Sequence, residues 1–223
     1  MPEELKIITP DMLAEDPFHP RLDFEKGMPA VPLFAVALIA VNILAFGWEL
    51  SVGALKTKQG IIAAGAIYGA KVFSGESWRL FTGMFLHGGF SHLIGNCMVL
   101  YLLGMASERA WGRMRALFIY FTSGLAASFL SAFMQPKPAV GASGAIFGLL
   151  GAALVFFYRY RGSFPARDRR IGVGLLAWGA FQLVMGVLTP YVDNWAHFGG
   201  LGTGIVLGFL LSAGLFEKAA PSV

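Results

Sequence analysis

The chain has 223 residues, of which 56% are hydrophobic and only 13% are charged, and its mean hydropathy is +0.65. Soluble domains carry about 25% charged residues, so this composition excludes an ordinary soluble domain and indicates a protein of the lipid bilayer. The net charge of +4 requires no nucleic-acid partner, because anionic lipid headgroups attract such a cationic excess.

Six stretches approach the roughly 20 apolar residues that a membrane-crossing helix needs. They lie at about 31–50, 90–106, 117–134, 142–158, 171–188 and 195–215. Their length and their lack of apolar-polar alternation favour helices over a barrel. The predicted fold is therefore an all-α polytopic membrane protein, a bundle of six transmembrane helices in residues 31–216. Short tails at 1–30 and 217–223 flank this core, and a long loop at about 51–89 interrupts it.

The positions of Lys and Arg predict the orientation of this bundle. Twelve of the 17 fall in cytoplasmic segments if the N-terminus is cytoplasmic. The other five lie outside, namely Lys56, Lys58, Lys71, Arg79 and Lys137. Cytoplasmic loops carry the excess of Lys and Arg, so both termini are expected in the cytoplasm. Residues 1–30 lack the basic start and apolar core of a cleaved signal peptide, and they are expected to form a cytoplasmic tail.

The loop at 51–89 contains two features that the pattern explains only in part. Residues 61–70 are apolar but too short and too glycine-rich to cross, which predicts an interfacial or partly inserted segment. Trp78 and Arg79 follow. On spacing alone they form an ordinary interfacial anchor, with Trp78 at headgroup depth and Arg79 on phosphate.

The second span carries His92 and Asn96 near its outer end. Four residues apart, their side chains share one helical face. They could form an interhelical hydrogen-bond pair that stabilises the bundle, or a pair of donors to a developing oxyanion. A metal site on His87 and His92 is disfavoured, because residues five apart on a helix do not share a face and no Glu completes a His-Glu-x-x-His pattern.

The fourth span opens with Ser143 in its first turn, between Gly141 and Gly144. Small neighbours leave space around the hydroxyl, and free backbone N–H groups at a helix start can stabilise an anion. Gly, Ala and Ser are also the residues that let transmembrane helices pack closely, so packing alone could explain the serine.

The last two spans differ in their small residues. The sixth span has a stripe of small residues four apart, and the fourth has a matching one, which predicts that these two helices pack closely. The stripes are Ala196, Gly200, Gly204 and Gly208, and Gly144, Gly148 and Ala152. The fifth span lacks such a stripe and carries the bulky Trp178, Phe181 and Leu183. It is expected to pack less tightly and to be the side of the bundle that moves to admit a substrate.

Topology brings the polar residues to one depth. The second, fourth and sixth spans all enter from outside, and His197 lies at the outer end of the sixth. If the two stripes meet, Ser143 comes within hydrogen-bond reach of His197, the arrangement of nucleophile and base in acyl transfer. No acidic third member is evident. Asp193 is expected to cap the sixth helix, so the prediction is a dyad.

The sequence resembles the rhomboid family of intramembrane serine proteases, and the motifs follow the family's order. They are Trp78-Arg79, His87, His92-x-x-x-Asn96, Gly141-Ala142-Ser143-Gly144 and Ala196-His197-Phe198-Gly199-Gly200. The resemblance implies a six-helix core, with Ser143 as nucleophile and His197 as general base. It also implies an oxyanion hole made of His92, Asn96 and the Ser143 backbone N–H.

The same resemblance assigns two further sets of residues. It places Trp78 and Arg79 in a loop that embeds in the outer leaflet, in place of the simple anchor. It makes Phe147 the aromatic residue, four after the serine, that stacks on the base. Together with Trp178 and Phe181, which come from the bulky and loosely packed fifth span and not from the resemblance, Trp78, Arg79 and Phe147 are the expected substrate and gate residues.

The resulting hypothesis is a serine endopeptidase that needs no cofactor or metal and cleaves single-span membrane proteins near the outer face. It is expected in the cytoplasmic membrane of a prokaryote, with the lipid bilayer and transmembrane substrates as partners. No pattern in the sequence indicates an oligomeric state. Two alternatives are a catalytically silent scaffold of the same fold that binds transmembrane helices, and a transporter. The transporter is disfavoured because the sequence shows no inverted repeat or paired broken helices.

Overall fold

A computed structural model describes Phe24, residues 27–189 and residues 191–212, without the side chains of residues 166 and 167. The predicted C-terminal tail and most of the N-terminal tail lie outside the described residues. Where the chain is described it is helical, and its one pair of bridged strand-like residues is Ile67 with Ala139. The predicted all-α fold is confirmed.

Nine helices and one 3₁₀ turn at Ala54–Lys56 follow one another along the described chain. The helices are α1 (Leu33–Ser51), α2 (Lys58–Ala63), α3 (Gly69–Val72), α4 (Arg79–Thr82), α5 (Phe90–Trp111), α6 (Arg113–Met134), α7 (Ser143–Arg159), α8 (Ala166–Leu188) and α9 (Asn194–Leu211). The six long helices, α1 and α5 to α9, correspond one to one with the six apolar stretches.

Several long helices extend past the apolar stretches into charged residues. Helix α5 continues through Arg109, and α6 starts at Arg113. Hydropathy marks only the part of a helix at hydrocarbon depth, whereas the hydrogen-bonded turns continue until a residue such as Gly112, with its φ of 73°, ends them.

Four of the long helices have the length and apolar composition of a membrane span: α1, α5, α6 and the Asp168–Leu188 part of α8. Helix α7 is apolar but has only 17 residues, and α9, with 18 residues, is rich in glycine. The protein is an integral membrane protein, and the count of six spans stays a prediction.

Helix α7 forms the centre of the bundle, where it contacts α5, α6, α8 and α9. Thirteen of its 17 residues are buried, including Leu149, Leu150 and Phe156, none of which is exposed. A helix that is apolar on every face can be buried on every face, and α7 has no charged residue before Arg159. Ser143, its first residue, is therefore held by the most enclosed element of the fold.

The predicted close packing of the fourth and sixth spans is observed as a seam between α7 and α9. A Cβ added to Gly200 would overlap the carbonyl oxygen of Gly144, and one added to Gly204 would overlap that of Gly148. One turn further, a Cβ on Gly208 would lie 3.0 Å from the Cα of Ala152. The two backbones touch at every turn, as small residues four apart permit.

The loop before α5 folds onto the C-terminal end of α6. The Ile67 N–H donates to the Ala139 carbonyl at 2.9 Å, and the Ala139 N–H returns the bond at 2.8 Å. Ile67 and Val72 form a small apolar cluster with Ala132 of α6. The segment at 61–70 thus packs against the bundle without crossing it, which agrees with the expectation that it is too short to span.

Helix α8 is the least buried of the four helices with the composition of a span. In its most apolar window 17% of the residues are buried, against 33% to 44% in α1, α5 and α6. The expectation that the fifth span packs loosely therefore agrees with the structure.

Candidate active site

Ser143 and His197 meet at the end of the α7–α9 seam where both helices begin. The Ser143 Oγ lies 3.0 Å from the His197 Nε2. The seam places both residues at the start of their helices and brings those two helix ends together. To accept the hydroxyl proton, Nε2 must be unprotonated, which puts the proton of a neutral imidazole on Nδ1. The pair then has the geometry of a nucleophile and its general base.

The other ring nitrogen of His197 has no carboxylate partner in the part of the chain that the structure describes. Its Nδ1 is buried without a hydrogen-bond partner among those residues. Asp193 caps α9 instead, accepting the N–H groups of Trp195 at 3.1 Å and Ala196 at 3.2 Å, and its other oxygen accepts the Ser131 hydroxyl. The expected cap is confirmed, and the bond to Ser131 was not foreseen.

His92 and Asn96 lie against Gly141, two residues before Ser143. A Cβ on Gly141 would lie 2.8 Å from the His92 Nε2 and 3.6 Å from the Asn96 Nδ2, and its φ of 131° disfavours other residues. The Asn96 Nδ2 is buried and has no partner among the described residues. A buried unpaired donor is costly, so an acceptor that entered here would be stabilised.

A cavity of about 670 Å³ joins these groups. Its lining includes all four of the polar residues, Ser143, His197, His92 and Asn96. Apolar side chains of α7 and α8 also line it, among them Phe147, Trp178 and Met185, with Gln182 as a polar neighbour. The volume is in the range of pockets that hold a ligand or a short peptide segment.

Phe147 shapes the base directly. Its ring stacks on the His197 imidazole with centroids 4.2 Å apart and planes 11° apart, and the Trp178 ring lies 6.0 Å from it, centroid to centroid. Phe147 is almost fully buried, so the stack holds the imidazole plane in one orientation.

Three of the expected substrate and gate residues lie away from the cavity. Trp78, Arg79 and Phe181 do not line it, and the Phe181 side chain is 57% exposed. Phe181 points away from the site that it was expected to close, because α8 turns Trp178 and Gln182 toward the cavity and carries Phe181 on another face.

The interpretation of Arg79 as an anchor that binds lipid phosphate is wrong. Its guanidinium is buried, bonds Glu76 through Nε at 2.7 Å, and donates to the Ala66 carbonyl at 3.3 Å. Hydrogen bonds from Arg79 and Lys71 hold the pKa of Glu76 below its usual value. Arg79 thus ties together the loop that contacts the C-terminal end of α6, with half-exposed Trp78 under its guanidinium.

The spacing argument about His87 also needs correction, since His87 precedes α5 and does not share its helical geometry. Its ring lies 5.2 Å from that of His92, centroid to centroid. Burial lowers the pKa of His87 to about 4, and the neighbouring His92 acts in the same direction. The described residues contain no group of three or more His, Cys, Asp or Glu side chains able to hold a metal.

Sequence reasoning missed two residues near the site. Ser131 of α6 binds the Asp193 cap, and nothing in the sequence distinguishes it from other serines of a packed helix. Glu49 accepts the His87 N–H, and it had a signal: a carboxyl inside an apolar span is costly and therefore needs a reason.

Comparison with known proteins agrees with this architecture. The family model of the Rhomboid domain matches residues 74–214, which include Ser143, His197, His92 and Asn96. Rhomboid protease GluP of Bacillus subtilis (strain 168) is 37% identical over 193 residues, 86% of this chain and 36% of the relative. RHOMBOID-like protein 6, mitochondrial, of Arabidopsis thaliana is 42% identical over 149 residues, 66% of this chain and 48% of the relative.

A third relative is covered more fully. The putative rhomboid protease YdcA of Bacillus subtilis (strain 168) is 37% identical over 146 residues, 64% of this chain and 71% of the relative. The chain belongs to the rhomboid family, a family of intramembrane serine proteases and their relatives. It spans only a third to a half of the length of GluP and RHOMBOID-like protein 6.

Proposed function

We propose that this chain is a serine endopeptidase that cleaves single-span membrane proteins within the membrane, near its outer face, with Ser143 and His197 as a catalytic dyad. The observation that carries the proposal is the 3.0 Å contact between the Ser143 Oγ and the His197 Nε2 in the wall of a cavity of about 670 Å³. Neither packing nor bundle stability requires a hydroxyl and an imidazole to meet beside an open cavity.

In the first half of the reaction, His197 Nε2 takes the hydroxyl proton while Ser143 Oγ attacks a peptide carbonyl carbon. The carbonyl oxygen becomes an oxyanion, which the His92 Nε2–H, the Asn96 Nδ2–H and the Ser143 backbone N–H stabilise. His197 then gives its proton to the departing amine, and the peptide bond breaks. An acyl-enzyme is left on Ser143.

In the second half, water replaces the amine. His197 takes a proton from the water, the resulting hydroxide attacks the ester, and the collapse returns the proton to the Ser143 Oγ. Phe147 holds the imidazole plane through both halves, since its ring stacks on His197. A dyad suffices because the stack and the helix orient the base without a carboxylate on Nδ1.

The substrate segment must be unwound, because a helix encloses its peptide groups in its own hydrogen bonds. We propose that substrates carry Gly or Pro near the outer face, where helix penalties of roughly 1 and 3 kcal/mol lower the cost of opening. Access past α8 is supported by its low burial.

The proposed setting is the cytoplasmic membrane of a bacterium, with a six-span core at residues 31–216 and both termini cytoplasmic. The names of two bacterial relatives, both rhomboid proteases, and the asymmetry of Lys and Arg support it.

The test is the purified protein with a single-span reporter and a serine-reactive fluorophosphonate probe. Wild type should cleave the reporter and take up the probe at Ser143, and Ser143→Ala should lose both while it keeps its thermal stability. Ser107→Ala is the matched control, a buried serine of α5 that does not line the cavity. Cleavage by Ser143→Ala would exclude the nucleophile, and a stable wild type without cleavage or labelling would indicate the scaffold.

A further inference from the structure

The last turn of α1 contains a fully buried carboxyl group. Glu49 has no exposed surface, and its Oε1 and Oε2 lie 3.2 Å and 3.0 Å from the backbone nitrogen of His87, which donates to them. Burying a carboxyl costs several kcal/mol unless it is hydrogen-bonded. The Glu49 carboxyl therefore ties the end of α1 to the turn that leads into α5.

The next backbone N–H of that turn reaches the proposed oxyanion hole. The Gly88 N–H donates to the His92 Nδ1 at 3.3 Å. Since Nδ1 accepts this bond, the ring proton of a neutral His92 must lie on Nε2. The Cε1–Nε2 edge of the ring faces Gly141, where an added Cβ would lie 2.7 Å from Cε1 and 2.8 Å from Nε2. His92 and Ser143 line the same cavity, so the Gly88 N–H selects the tautomer that can donate to an oxyanion there.

The His87 side chain holds the same turn from the other side. Its Nδ1 lies 3.0 Å from the Phe85 carbonyl oxygen, which can only accept, so Nδ1 carries the proton. Its ring lies edge-on to that of His92 at 5.2 Å and an interplanar angle of 62°. The turn at 87–88 is thus held by Glu49 of α1 and by the Phe85 carbonyl of its own loop, and it contacts His92 directly.

We propose that Glu49 is a positioning residue of the active site: it holds the turn at 87–88 so that the Gly88 N–H fixes His92 as the Nε2–H donor of the oxyanion hole. The inference rests on the proposed protease function. It brings α1, which contributes no residue to the cavity lining, into the catalytic apparatus.

The first test is steady-state kinetics with the single-span reporter. Glu49→Leu should lower kcat about tenfold, less than the roughly 100-fold loss from removing an oxyanion donor, and should leave KM unchanged because the substrate does not touch Glu49. Glu49→Gln should recover most of the rate, since its amide oxygen can still accept the His87 N–H. Asn42→Leu is the control, a fully buried polar residue two turns earlier on α1, and should keep wild-type kcat.

The second test asks whether Glu49 acts through His92. If it does, Glu49→Leu combined with His92→Ala should lose no more kcat than His92→Ala alone. If the double variant instead loses kcat by the product of the two single-variant losses, the proposal is overturned. A folded Glu49→Leu protein with wild-type kcat would also overturn it. Should Glu49→Leu not fold, Glu49→Asp replaces it, because its shorter side chain pulls the carboxylate from His87. Glu49→Asp should then be slower than Glu49→Gln, and the reverse order would overturn the proposal.

A third measurement does not depend on activity. In protein labelled with ¹⁵N-histidine, the His92 resonances, assigned by their loss in His92→Ala, should report an Nε2–H tautomer in wild type and a mixture in the Glu49 variant used. An unchanged spectrum contradicts the proposal even if kcat falls. If wild type cleaves no reporter, the protease function fails, and the spectrum alone decides whether Glu49 positions His92.

Discussion

The α7–α9 seam and helix α8 are two sides of one cavity, and they are built in opposite ways. At the seam, backbone meets backbone, and a single methyl group on Gly200 has no room. On α8, bulky side chains face outward, and a Cβ on Gly172, Gly179 or Gly186 would meet side chains and no backbone, while one on Gly174 would meet nothing within 4 Å. The difference suggests a division of tasks: the seam keeps Ser143 and His197 in register, and α8 is free to move.

The largest effect is expected from a substitution at Gly200, in the seam. Gly200→Ala forces α7 and α9 apart, and we expect a loss of about 1–3 kcal/mol in stability, as for other overpacked cores. Turnover of the reporter should fall about 100-fold, because a displacement near 1 Å at a reacting centre has effects of that size. Thermal unfolding in detergent and reporter kinetics measure the two losses.

Gly202 is the matched control for that experiment. It lies on the same helix, two residues away, and an added Cβ there would meet nothing within 4 Å. Gly202→Ala should be close to wild type in both measurements. Equal damage from both variants would mean that α9 tolerates no alanine anywhere, and the seam would lose its special role.

The α8 side is tested by comparing its two aromatic residues. Trp178 lines the cavity and contacts Phe147, so Trp178→Ala should open the wall and raise turnover of a helical reporter several-fold. The substitution should lower the free energy of unfolding by less than the about 3 kcal/mol that truncating a fully buried Trp to Ala costs. Phe181→Ala should change turnover little, because its side chain is exposed and away from the cavity.

Reporter kinetics on the two variants, with a Leu-rich and a Gly-containing reporter, separate the alternatives. The gain from Trp178→Ala should be larger for the Leu-rich reporter, which unwinds less readily. A gain from Phe181→Ala and none from Trp178→Ala would restore the expectation from sequence that Phe181 closes the gate.

The smallest expected effect is at a polar tie between α8 and the start of α9. The Asn194 Nδ2 donates to the Leu183 carbonyl at 3.1 Å, and Gly186 provides the space for this side chain. Such a bond contributes about 0.5–1.5 kcal/mol. Asn194→Ala should therefore raise turnover about twofold and speed hydrogen exchange of the amides at 183–189.

Asn194→Asp tests whether the donor is responsible, since it keeps the shape and removes the N–H. It should resemble Asn194→Ala. If Asn194→Asp shows the same hydrogen exchange as wild type, the hydrogen bond is not what holds α8. The packing of the residue-194 side chain at Gly186 then holds it.

The amino-acid sequence by itself determined that this protein lies in the lipid bilayer, where its six long helices are, and which candidate catalytic residues meet in its cavity. These are local properties. The length of an apolar stretch indicates whether it can lie in lipid, and a glycine at every fourth position indicates which faces of two helices can touch. Polar residues such as Ser143, His92 and His197 are visible because they are rare and costly in apolar segments.

Only the tertiary structure decided which way several side chains point and what holds the site in place. Arg79 turns inward to Glu76 and to loop carbonyls, Phe181 turns away from the cavity, and Glu49 reaches a turn 38 residues ahead. Such pairings depend on the rotation of each helix about its axis and on the path of the loops. Both are set by packing between segments distant in sequence, so no local pattern reports them.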